Sequence, residues 1–127
     1  MNLIDLEKLQ LKTFTEQDVL DYCQINNLNL DNITVLWLTH NSLTDISGIK
    51  LFKNLISLNL NNNCLKDISI IQYLKKIELL YINNLELESD QIQYINSLNN
   101  LKELIYYKGI KDISVLNKLN KNIRIIK

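Results

Sequence analysis

Glycine, cysteine, histidine and net charge are all scarce in this chain of 127 residues, and each scarcity excludes a class of function. Two glycines, Gly48 and Gly109, are too few for a phosphate-cradling loop. The two cysteines, Cys23 and Cys64, lie in different kinds of segment without metal-type spacing, and read as reduced thiols. The one histidine, His40, has no Cys or His at ligand spacing and no nucleophile motif beside it, so it reads as a surface residue. No metal or other cofactor is expected. No apolar run approaches the ~18 residues that cross a bilayer. The opening Met1-Asn-Leu-Ile-Asp begins with an acid where a secretory leader would be basic and then apolar, so a cytoplasmic location is expected. Glu86, Glu88 and Asp90 could do acid–base work as paired carboxylates, but on one loop they read as solvated, and no enzyme activity is expected.

Lys+Arg and Asp+Glu both number 14, which gives no overall support for non-specific attraction to nucleic acid or membrane. The charges are uneven along the chain. Residues 1–64 carry 4 basic and 7 acidic side chains, and residues 65–127 carry 10 basic and 7 acidic. The basic excess gathers in Lys108, Lys111, Lys118, Lys121, Arg124 and Lys127, and is expected to be a solvated face.

What the chain has in abundance is a repeat. NSLTDISGI (41–49), NCLKDISII (63–71) and GIKDISVL (109–116) carry one phrase at a regular interval. Around it runs an apolar comb: Ile33, Leu36, Leu38, Asn41, Leu43, Ile46, Ile49, Phe52. It recurs 22 residues later as Leu55, Leu58, Leu60, Asn63, Leu65, Ile68, Ile71, Leu74. A period of 20–29 headed by L-x-x-L-x-L-x-x-N-x-L reads as a leucine-rich repeat solenoid, in which stacked neighbours close a core that one repeat cannot. One domain over 1–127 is expected, with a cap at 1–32, repeats at 33–54, 55–76, 77–100 and 101–122, and an end strand at 123–127. The third repeat runs to 24 residues, its extra length falling at Glu88-Ser89-Asp90-Gln91, where Asp90 could cap a short helix. The fourth loses one residue before Ile110, and Ile123 and Ile126 look like the first step of a fifth strand.

Within each repeat the L-x-L pair predicts a short strand whose side chains alternate between faces. Asn41 and Asn63 stand where the chain turns off that strand. A side-chain amide both donates and accepts, so stacked asparagines can satisfy backbone groups that the bend buries. That ladder breaks at Leu85 and Gly109, and the last two repeats are expected to bend differently. Asp45, Asp67 and Asp112 are placed to accept from free N–H groups at the start of the convex segments. At the N-terminus Leu6, Leu9 and Leu11 match the repeat once more. Thr15-Glu-Gln-Asp18 then predicts a capping box, followed by Val19, Leu20, Cys23 and Ile25 at helical spacing.

With these residues, LTDISGIKLFKNLISLNLNNNCLKDIS above all, the chain resembles the 22-residue class of leucine-rich repeats, shared by bacterial internalins and the regulatory subunit of protein phosphatase 1. The resemblance covers about residues 30–122. It implies an α/β solenoid: a short curved leucine-rich repeat with a parallel concave β-sheet, convex 3₁₀ or short helical segments, and here an N-terminal helical cap. It also implies protein binding through the concave face.

Aligning the repeats places the outward strand positions in three rows. The central row is Trp37, Asn59, Tyr81, Ile105; before it stand Val35, Ser57, Leu79, Glu103, and after it Thr39, Asn61, Asn83, Tyr107. Large apolar side chains at positions the core does not need mark an interaction site, and Trp and Tyr most often dominate binding energy. A partner protein is therefore expected on Val35, Trp37, Thr39, Asn59, Asn61, Leu79, Tyr81, Asn83, Ile105 and Tyr107. The chain is read as a monomer that inhibits or adapts one partner, of the immunity-protein, effector or host-defence antagonist type. Association with RNA through the basic end, with Tyr106, Tyr107 and Arg124, is the alternative. Self-association through the sheet edges is a third reading.

Overall fold

Alternating inward and outward residues produce the strands that the comb predicts, and one more. The structure, a computed structural model, describes residues 2–127. Six three-residue strands lie in sequence order in one parallel sheet: β1 (Leu3–Asp5), β2 (Val35–Trp37), β3 (Ser57–Asn59), β4 (Leu79–Tyr81), β5 (Glu103–Ile105) and β6 (Arg124–Ile126). The register is the repeat itself, since Leu36 pairs with Leu58, Leu58 with Leu80, and Leu80 with Leu104. These four leucines point into the core, each with 0% exposure. The chain returns through convex 3₁₀ segments at Ser47–Leu51, Ser69–Tyr73 and Ile113–Lys118. Successive parallel strands with the return path on the opposite face make a solenoid.

The N-terminal cap combines a helix with a strand. In α1 (Glu16–Ile25), Thr15 Oγ1 accepts from the Asp18 backbone N–H at 3.2 Å, and Asp18 Oδ2 accepts from the Thr15 N–H at 2.9 Å, the reciprocal pair that the sequence predicts. The strand corrects the expected frame. Leu6, Leu9 and Leu11 do not head the first rung; β1 begins at Leu3, so Ile4 and Leu6 occupy the inward positions matched by Leu36 and Leu38, and Leu9 is exposed. Only Val19 and Cys23 of the helical series are buried, while Leu20 and Ile25 face outward, because α1 lays a single i, i+4 stripe on the solenoid.

Gly48 makes that contact possible. A Cβ at this position would lie 2.2 Å from the Thr15 carbonyl oxygen and 2.7 Å from Val19 Cγ2, so the first turn of α1 rests directly on the 47–51 backbone. Beside it Phe14 and Phe52 stack with centroids 6.4 Å apart, joining cap to first repeat. The longer third repeat uses its extra residues in a 3₁₀ turn (Ser89–Gln91) that runs into α2 (Ile92–Asn96). Asp90 lies inside that turn and makes no cap, which corrects the role expected for it. Gln91 contributes instead, its Oε1 accepting from the Ile68 N–H of the preceding repeat at 2.8 Å.

Candidate functional site

Two sets of side chains meet at the strand ends, one spent on the scaffold and one presented outward. The run Asn61-Asn62-Asn63 supplies three different ladders. Asn63 is buried and donates to the Leu38 and Leu60 carbonyls at 2.9 and 3.0 Å, while its Oδ1 accepts from the Leu43 N–H at 3.2 Å. Asn41 does the same one rung earlier, donating to Leu6 and Leu38 and accepting from the Leu9 and Leu11 N–H groups. The second ladder runs through Asn61, whose Oδ1 accepts from the Asn83 N–H at 2.7 Å, and Asn83, which accepts from the Tyr107 N–H at 2.6 Å.

The third ladder explains the lone histidine. His40, Asn62 and Asn84 hold φ of 58°, 59° and 59°, the left-handed turn that carries the chain off each strand. Their side chains stack, with Asn84 Nδ2 donating to Asn62 Oδ1 at 3.0 Å and Asn62 Nδ2 3.4 Å from His40 Nε2. His40 is thus a turn residue. Gly109 takes up the turn in the next repeat, at φ 114°.

The last repeats replace asparagine as their sequence suggests. Leu85 fills the position of Asn63 with an apolar side chain at 0% exposure, and in the final repeat the Ile110 N–H donates to the Tyr106 hydroxyl at 3.1 Å. Tyr106 is therefore a core residue, buried to 2% exposure, and does not offer a ring to a nucleic acid base. Asp45, Asp67 and Asp112 accept from the N–H groups of Ser47, Ser69 and Ser114 at 2.8, 2.7 and 3.1 Å. The Ser69 hydroxyl and backbone bonds hold the Asp67 carboxyl below its usual range, and those of Ser114 do so for Asp112.

What remains outward is largely uncharged. Trp37, Asn59, Tyr81 and Ile105 are mutual register partners, half-buried in a row across the sheet; Val35, Ser57, Leu79 and Glu103 form the row beside it. β1 and β6 extend both rows, adding Leu3 and Arg124 to one, and Asp5 and Ile126 to the other. Leu3-Ile4-Asp5-Leu6 carries the same alternation as Val35-Leu36-Trp37-Leu38, with isoleucine in place of the first inward leucine. In the third row only Tyr107 stands clear, at 59% exposure, with Lys108 Nζ 6.0 Å from its ring centroid. Asn61 is half-buried, whereas Thr39 and Asn83 are buried, the latter in the second ladder. The Thr39 hydroxyl has no hydrogen-bond partner among the described residues.

Charge sits at the two ends of this face. Asp5 and Glu7 mark the first rung, and at the other end Glu103 pairs with Arg124 at 2.9 Å. Of the basic C-terminal residues, Lys111 also has an acidic partner, Glu88. Both cysteines are free thiols, Cys23 buried and Cys64 exposed. Among the described residues, no group of three or more His, Cys, Asp or Glu could hold a metal ion, and no helix is long and apolar enough to cross a membrane.

Among solved structures, the chain is similar to internalin C2 from Listeria monocytogenes, with a TM-score of 0.58 and 20% identity over 99% of this chain and 74% of that one. Together with the six-stranded parallel sheet, this shows the leucine-rich repeat fold that the 22-residue period predicts. No family model matches the sequence, and a comparison with curated proteins gives no match.

Proposed function

We propose that this chain is a non-catalytic protein-binding module that engages one partner through the concave face of its sheet. The observation that carries the reading is the row Trp37, Asn59, Tyr81, Ile105, extended by Ile126. These side chains lie on the side of the sheet away from the core leucines. A folded domain has no structural need for a tryptophan and a tyrosine there, and clustered apolar side chains outside the core mark interaction surfaces. Six strands spaced ~4.8 Å apart give a face about 24 Å across, the length of roughly four helical turns. One helix or one loop of a partner fits it, with Val35, Leu79 and Tyr107 flanking the central row. Such an occupant would be blocked or recruited, so the chain acts as an inhibitor or adaptor, and its free thiols suit a reducing cytoplasm.

The RNA reading has less support. It needs stacked aromatics beside unneutralised charge, and Tyr106 is buried while Arg124 and Lys111 are paired with acids. Capture from source-cell lysate with mass spectrometry tests the proposal, using wild type beside a folded Trp37→Ala/Tyr81→Ala variant. A protein retained by wild type alone supports the concave face. Equal retention by both moves the site elsewhere, and a nucleic acid retained with a steep salt dependence replaces this reading by the other.

A further inference from the structure

A second surface lies on the other side of the solenoid, where two convex segments turn back toward the sheet. The ends of the 47–51 and 69–73 segments frame a depression of about 580 Å³, lined by Lys50, Leu51, Lys53, Tyr73, Lys75 and Lys76. That volume is in the range of a small-ligand pocket. Its composition is unlike the concave face: four lysines ring two apolar side chains. Tyr73 stands one 22-residue period beyond Leu51, so the two are neighbours in adjacent repeats. Leu51 packs on the core from a half-buried position, while Tyr73 leaves 60% of its surface exposed.

The local charge is strongly one-sided. Glu16 accepts an ion pair from Lys50 at 2.7 Å, and Lys76 Nζ donates to the neutral Asn54 Oδ1 at 2.7 Å. Four cations against Glu16, and Asp31 one rung from Lys53 at the edge, leave an excess of two positive charges around an apolar floor. The excess is also confined. One repeat back the positions of Lys53 and Asn54 hold Asp31 and Asn32, and one repeat on those of Lys75 and Lys76 hold Asn99 and Asn100. A nucleic acid strand needs a basic groove that follows its backbone over several nucleotides. A patch two repeats wide with a hydrophobic centre suits a shorter acidic ligand instead.

We propose that this groove is a docking site for a short acidic segment of a partner protein, carrying one aromatic or leucine side chain that seats on Leu51 and Tyr73 while its carboxylates meet Lys53, Lys75 and Lys76. The site is independent of the concave face, so either can operate without the other.

The test is amide chemical-shift mapping of the full chain. The probe is a capped octapeptide of glutamate and aspartate with one central phenylalanine, titrated at about 50 mM and about 300 mM salt, across which screening shortens sharply. Shifts confined to residues 50–54 and 72–76 are expected, with affinity falling about tenfold at the higher salt. Lys53→Glu/Lys75→Glu should abolish them, and Tyr73→Ala should weaken binding at least fivefold. Trp37→Ala should leave them unchanged. Absence of shifts in this region overturns the proposal. So does equal binding of a peptide lacking the phenylalanine, which reports only an ion atmosphere, or tighter binding of a single-stranded oligonucleotide at the same residues.

Discussion

Asn63→Ala removes one of the two asparagines of the ladder on which the sheet-to-loop turn depends. The side chain is 7% exposed and makes three well-formed bonds to backbone groups, two as donor and one as acceptor. Alanine cannot replace any of them. Leaving a buried group unpaired costs about 1–3 kcal/mol, and a typical bond contributes about 1 kcal/mol net, so three bonds with partial relaxation amount to about 3 kcal/mol. That is a large share of the roughly 5–15 kcal/mol that holds a domain together. It should lower Tm by about 10 °C in a domain of this size. Urea unfolding followed by circular dichroism measures it, provided the transition stays two-state. Asn100→Ala is the control: an exposed amide with one bond to the Lys75 carbonyl at 2.8 Å, expected to cost less than about 0.5 kcal/mol. If Asn63→Ala unfolds within about 0.5 kcal/mol of wild type, on the order of that control, the ladder does not carry the turn.

Gly48→Ala should destabilise by about 2 kcal/mol or more, because its methyl would meet the Thr15 backbone at 2.2 Å and displace α1; unchanged amide-exchange protection of α1 would contradict that. Thr39→Val removes a buried hydroxyl without a partner in nearly the same shape, and should be neutral or stabilising by up to about 1 kcal/mol in the same urea assay. A loss of more than about 1 kcal/mol would mean that the hydroxyl is paired. Asp18, Asp67 and Asp112 are held below the 3.8 of a free aspartate, the first mainly by the Thr15 backbone N–H. Since their folded-state pKa lies below the unfolded one, they stabilise the fold above pH 3.8 and lose that contribution as the pH falls through the lower folded value. Stability should therefore decline below about pH 4, and less so in Asp67→Asn, where a titration curve superimposable on wild type would refute the assignment.

The repeats were legible because their physics is local and periodic. One comb places Leu36, Leu58, Leu80 and Leu104 in register, at intervals of 22, 22 and 24 residues that leave a single way to stack them. The asparagine ladder could be read for the same reason, since Asn41 and Asn63 fall at the same point after β2 and β3. The N-terminal strand was not legible from leucines alone. Its inward residues are Ile4 and Leu6, and the spacing from Leu36 back to Ile4 is 32 residues because α1 is inserted between them. Asp90 failed as a cap since the chain enters α2 through a 3₁₀ turn that leaves no extended residue before the helix. On the concave face, strand alternation separates Trp37 and Tyr81 from the core correctly. It breaks down just beyond the strand, where Thr39 and Asn83 are already covered and Asn83 serves the backbone of its neighbour. Tyr106 reads as one more apolar tooth of the comb, and only the missing asparagine at Gly109 hints that its hydroxyl is needed.

The chain has a single tryptophan, and it lies in the central row of the proposed surface, on the second of the six strands. Replacing it with 5-fluorotryptophan gives one fluorine resonance that reports on Trp37 alone, whatever tryptophans a partner carries. Titration with the protein retained by wild type should shift or broaden that resonance at the stoichiometry of binding, and should protect it from a soluble paramagnetic quencher. A resonance that keeps its position, width and quenching while the complex forms would place the partner away from the concave face and contradict the account.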